Sequence, residues 1–184
     1  MKVRATTFGF EDADPLAPKG TGFEREPFEA WWARAEPQLP NVPREVAREW
    51  VHRHWRDGPI STHVSLRELL FRLEAWDANQ IERIARSDRW TRGGDGVADI
   101  AHWESVPGFV PRFMLAHGKW PSPIIVGRTL SSFPALVHLF SRGSQAQPIL
   151  LEGHVRLEVW RSMKEARRGL ASTLPVWVAA LLHP

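Results

Sequence analysis

The segment Pro148-Ile149-Leu150-Leu151-Glu152-Gly153-His154-Val155-Arg156-Leu157 most narrows what this chain can fold into. A short apolar run meets an acid and a glycine, and an amphipathic stretch from Val155 to Arg168 follows at once. The pattern predicts a strand, a turn at Gly153 and a helix, a junction found in domains that mix strands with helices. The first-turn N–H groups of a helix lack intrahelical partners and carry partial positive charge, so they attract phosphate. Gly153 permits an unusual backbone angle or a close ligand approach, and His154 and Arg156 are candidate donors to phosphate oxygens. Glu152 is a candidate to hold a cation or a proton. The same junction also occurs in domains with no ligand there, with the His and Arg merely solvated.

The neighbours give the junction a context. Met114-Leu115-Ala116-His117-Gly118-Lys119-Trp120-Pro121-Ser122-Pro123-Ile124-Ile125-Val126 reads as a short helix, a turn and a buried strand. Leu174-Pro175-Val176-Trp177-Val178-Ala179-Ala180-Leu181-Leu182 reads as a further strand. Over residues 104 to 184 this succession resembles the ParB/sulfiredoxin superfamily: a helix ending in Gly, a "QPIxV" strand, a strand opening on a G-x-x-R helix, and a "PVxV" strand. Glu152-Gly153-His154-Val155-Arg156 looks most like the "DGHTR" box of ParB-like free-serine kinases and less like the "GERR" box of partitioning proteins.

The resemblance implies a nucleotide-binding protein with a nucleoside di- or triphosphate and Mg²⁺ as cofactors. Gly153, His154 and Arg156 would hold phosphate, Glu152 the metal, and Glu104, with Glu152, would be catalytic. His117, Lys119 and Arg128, which flank the first strand, are further candidate phosphate contacts. The implied reaction is ATP/ADP- or CTP-dependent phosphoryl transfer, or nucleotide hydrolysis. Departures from the family pattern limit it. The chain has no Cys, which excludes sulfiredoxin chemistry. The sequence ends soon after the final strand, so the helix-turn-helix DNA reading of partitioning proteins is not expected. Val155 stands where the box has Thr and removes one hydroxyl donor.

Charge is divided unevenly. Residues 1 to 100 hold 15 Lys and Arg against 17 Asp and Glu, while residues 101 to 184 hold 9 against 4. The basic half contains the anion site, although Arg161, Lys164, Arg167 and Arg168 also suit the end of a helix dipole. At 184 residues and 43% apolar composition the chain can build one domain or two small ones. No run approaches the roughly 18 apolar residues of a membrane span, and no apolar signal core follows Met1. Together with the absence of Cys, this leads us to expect a cytoplasmic protein without a membrane partner.

The expected architecture is α+β: an extended arm at 1–25, a helical module at 26–100, and a ParB/sulfiredoxin-like domain with a small mixed sheet at 101–184. The arm is punctuated by Asp, Pro and Gly and carries Phe8, Phe10 and Phe23 as packing residues. Helices are expected from Pro27 to Ala35, from Pro43 to Arg56 with Val46, Trp50 and Val51 on one face, and from Leu66 to Trp76 behind a Ser65 cap. Asp77 should cap another, running to Ser87 through Ile81 and Ile84. Pro59 separates the second and third. Ten Trp and no Tyr are unusual, and Trp31, Trp32, Trp50 and Trp55 recur at helical spacing as core positions. Arg92-Gly93-Gly94-Asp95-Gly96 reads as a linker, since no Gly-Lys-Ser/Thr ending follows. Residues 127–147 form an elaboration between two strands: a lid, a partner surface or an added strand.

Two other function classes remain open. A non-catalytic interaction or antitoxin-like regulatory module would keep the fold with a vestigial site, and its Trp-rich helices would bind protein. A nucleic-acid-binding protein or nuclease is the other, although no aromatic-interleaved basic stripe or carboxylate cluster marks it. His52, His54 and His63 make a poor metal set because the first two point to different sides of a helix. Ser61 and His63 lack the turn context of a serine nucleophile.

Overall fold

A computed structural model describes residues 15–20, 22–55, 65–88, 99–140 and 143–182. Phe8, Phe10, Pro59, Ser61, His63 and the stretch from Arg92 to Gly96 lie outside the described residues. The chain divides into two compact units, one reaching to Phe71 and including the residues from Ala180 onward, the other Arg72–Ala179. The class is α+β, with a small mixed sheet.

In the first unit, α1 (Phe28–Ala35) and α2 (Arg44–Val46) each begin after a proline at the cap, where a helix needs no N–H. A π-helical turn, Ala47–His52, extends α2. Trp31, Trp32 and Ala35 are buried on α1, and Val46, Ala47, Trp50 and Val51 are buried on α2 and its extension. These spacings place each set on one face. The tryptophans are core, as their spacing predicts: Trp31 meets Trp55 edge-on at 6.2 Å, and Phe28 stacks on Trp32 at 6.0 Å.

The indole of Trp31 donates to the Leu16 carbonyl at 2.7 Å, and Arg34 donates to the Pro15 and Ala17 carbonyls while pairing with Glu26. Leu16 and Pro18 are buried among the described residues of this stretch. Phe23 is not; it lies fully exposed on a 3-10 turn, Gly22–Glu24.

The helix expected from Leu66 to Trp76 does not form. Leu66–Glu68 makes one 3-10 turn, without a side-chain bond from Ser65, and Leu69–Asp77 is strand β1. Leu, Arg, Glu and Ala favour a helix locally, but β1 has a place in the sheet beside a later strand, and tertiary pairing outweighs propensities of a few tenths of a kcal/mol. The module expected to be helical thus contributes an edge strand.

Asp77 ends β1 and caps α3 (Ala78–Glu82) through a reciprocal capping box with Gln80. Ile81 and Ile84 are both buried as expected, but α3 stops at Glu82 rather than at Ser87. From Ile84 the chain is drawn to the sheet: Ala85 donates to the Pro148 carbonyl and accepts from Leu150. Next come α4 (Ile100–Ser105), capped by Asp99, and α5 (Phe109–His117), which ends at Gly118 in the left-handed region.

Strand β2 (Ile124–Gly127) is buried at every position. It pairs antiparallel with β3 (Ile149–Glu152) and parallel with β4 (Thr173–Leu181), and the sheet order is β1-β4-β2-β3. Helix α6 (His154–Glu165) follows β3 and buries Leu157, Trp160 and Met163 in a core shared with Ile124, Val126 and Val176. Each such aliphatic side chain contributes about 1.5–3 kcal/mol by leaving water.

The 127–147 segment adds no strand among the described residues. It forms two 3-10 turns, Leu130–Ser132 and Pro134–Leu139, pinned by buried Leu130, Phe133, Leu136 and Phe140. It leaves and rejoins the hairpin where Gly127 pairs with Ile149, away from Glu152, which pairs with Ile125.

Candidate functional site

The expected strand, turn and helix are present at β3, Gly153 and α6. Gly153 has φ 106°, ψ 30°, a conformation that side chains of L residues resist. A Cβ there would collide with the side chain of Ile124, so glycine is required twice, by backbone angle and by the close approach of β2. That side of Gly153 is filled by protein.

Arg156 lies in the first turn of α6 and is only 5% exposed. Its guanidinium donates to the Ser122 carbonyl at 3.2 Å, to the Ser122 hydroxyl, and to Glu152 Oε1 at 3.5 Å. Arginine suits this position because one rigid fork bonds several acceptors at once. It ties the loop before β2 to both ends of the β3–α6 turn, and its charge is matched by Glu152. Glu152, His154 and Arg156 all have partners within the fold. Val155 faces outward at 43% exposure, and no side chain caps the helix.

The other expected contacts are not gathered here. Glu104 pairs with Arg168, three residues past the end of α6. The twelve residues of α6 span about 18 Å, so Glu104 and Glu152 lie at opposite ends of this helix. Arg128 lies beyond the far end of β2, where it pairs with Glu74 at 2.7 Å. His117 is exposed at the end of α5, its ring 4.5 Å from Phe113. Gly118 beside it packs so closely on the Gly169 carbonyl that a Cβ would collide with it. Lys119 is exposed before buried Trp120, whose indole donates to Pro175.

Ser122 is the participant that motif reading missed. Its only signal in the sequence is its place between Pro121 and Pro123, which stiffen the loop.

Among the described residues no three His, Asp or Glu side chains converge on a metal position. Glu152 offers one carboxylate, already matched by a guanidinium. The residues present do not fit a divalent ion held by protein ligands alone.

A second charged constellation lies along the far half of α6. Glu158 accepts from Arg86 at 2.8 Å and lies 3.5 Å from Arg161, which also donates to the Ile84 carbonyl. Burial, and secondarily Arg86, push the Arg161 guanidinium below its usual range. Lys164 pairs with Glu82 and lies over Trp160. Beside this network is an open cleft of about 590 Å³ lined by Glu82, Arg86, Trp160, Arg161, Lys164 and Glu165. Arg86, Arg161 and Lys164 are each paired with a carboxylate, and the Arg86–Glu158 pair fastens the segment after α3 to α6.

No family model, curated protein or solved structure matches this chain.

Proposed function

We propose that the β3–α6 turn binds a phosphate group, as part of a nucleotide or a simpler phosphate ester. The observation that carries the reading is the opening of α6: a twelve-residue helix begins on a left-handed glycine with no side-chain cap. Such a terminus favours an anion by about 0.3–1 kcal/mol from its dipole alone, and backbone N–H donors add to this. Arg156 and Ser122 have positioning roles in this reading, because their bonds to one another hold the turn. Any Mg²⁺ would arrive on the phosphates.

Phosphoryl transfer is the less supported part. It depends on gathering charge and a base around one phosphoryl group, and Glu104 lies at the other end of α6. The capture of Arg156 by Ser122 and Glu152 favours a second reading, in which the turn is structural and the protein acts as an interaction module. The superfamily resemblance remains part of the first proposal.

Thermal-shift measurements with ATP, ADP, CTP, GTP and inorganic phosphate, with and without Mg²⁺, separate the two. A ligand at 100 times its dissociation constant stabilises the folded state by about 2.7 kcal/mol. The proposal expects a rise for at least one ligand, reduced in Val155→Glu, which puts a carboxylate at the exposed position of the first turn. No rise for any ligand leaves the interaction module.

A further inference from the structure

The two edges of the sheet are treated differently. Outside β3, the Ala85 segment forms a bridge to Ile149, and Arg86 and Arg161 fasten that segment through Glu158. The opposite edge is β1, nine residues long, and no strand lies outside it among the described residues. Soluble proteins shield such edges with charges, bulges, prolines or covering segments. Here β1 carries Arg72 and Glu74 but also displays Leu70 at 42% and Leu73 at 54% exposure.

We propose that β1 pairs antiparallel with β1 of a second copy of this chain, about a twofold axis at Leu73. The occupant follows from the strand's own pattern. With Leu73 opposite its symmetry mate, Arg72 of each copy faces Glu74 of the other and Phe71 faces Ala75. Opposed residues share a face, so both charge pairs and the apolar contacts form together.

Charge also selects the register. Moving the axis one residue earlier sets Arg72 against Arg72, one residue later sets Glu74 against Glu74, and a half-step flips the strand faces. Parallel pairing in register likewise opposes like charges, whereas the antiparallel pair closes as a twofold dimer. Arg72 is exposed and has no ion-pair partner among the described residues. Glu74 accepts from Arg128 and from the Trp76 indole, and a carboxylate retains acceptor positions beyond those two. The contact is small, so the dimer is weak, with a dissociation constant between about 1 µM and 1 mM. This inference does not rest on the phosphate reading.

Sedimentation equilibrium of the full chain over that concentration range tests it. The wild type is expected to dimerise. Arg72→Glu and Glu74→Arg should each weaken dimerisation at least about tenfold. Their equimolar mixture should restore it, because each mixed pair again opposes unlike charges. Leu73→Lys should abolish the dimer at an unchanged melting temperature, which keeps the test valid if Glu74→Arg folds poorly. A wild type monomeric throughout overturns the proposal. So does a dimer that survives Leu73→Lys, or a mixture no stronger than its separate components.

Discussion

The guanidinium of Arg156 and the carbonyl of Ser122, 3.2 Å apart, join the first turn of α6 to the loop that enters β2. A residue resembling a ligand donor in sequence is thereby a tie between two segments 34 positions apart.

Removing the guanidinium leaves Glu152, whose side chain is 18% exposed, without its matched charge. Arg156→Met should cost about 2–4 kcal/mol in urea unfolding. The double substitution with Glu152→Gln should cost less than the two single costs combined, since both belong to one network. Additive costs would show that the pair is uncoupled.

Gly153→Ala should be among the most damaging single changes, at about 2 kcal/mol or more, because left-handed strain adds to the clash with Ile124. Gly169→Ala is the matched control, with nothing within 4 Å of its added Cβ and no positive φ. It should stay within about 0.5 kcal/mol of wild type in the same denaturation series.

Glu158→Gln should cost about 3 kcal/mol, since it leaves Arg86 and Arg161, both largely buried, facing one another without the carboxylate they share. Hydrogen exchange of the Ala85 and Leu150 amides, which join the covering segment to β3, should accelerate with it. Unchanged exchange would mean that the cluster does not hold that edge.

His52 supplies a pH signature for the first unit. Burial lowers its pKa below 6.5, and nearby Arg25 and Arg34 lower it further, against the opposing effects of the Glu26 carbonyl and Glu26 charge. The neutral ring is compatible with its Nε2–H donating to the Glu26 carbonyl at 2.8 Å. The folded pKa is the lower one, so the unfolded chain binds more protons as pH falls. This contribution to stability is intact above the unfolded value and is lost downward through 6.5 to the folded pKa. Melting temperature should therefore fall between pH 7.5 and 5.5, and His52→Gln should flatten that slope.

Much of the local structure could be read without coordinates. Trp31 and Trp32 on α1 and Trp50 on the extension of α2 fall on apolar helical faces, and Asp77 with Gln80 spells a capping box. The strand–Gly–helix junction and the mixed α+β class were equally visible. Leu66 to Trp76 was not, because its leucines, Arg, Glu and Ala suit a helix and no local signal reports the neighbouring strand.

The candidate site divides along the same line. Local spacing brings Glu152, Gly153, His154 and Arg156 to one turn, since four residues across a strand end and a helix start cannot be far apart. It says nothing about Glu104 and Arg128, whose positions depend on the run of α6 and β2. By itself the sequence determined where the chain turns and which faces are apolar, through backbone sterics and periodicity. Tertiary packing alone decided that Arg156 would bond Ser122, that Ile124 would exclude any Cβ at Gly153, and that β1 would be the outer strand of the sheet order. Those outcomes depend on segments far apart in the chain meeting, which no local pattern encodes.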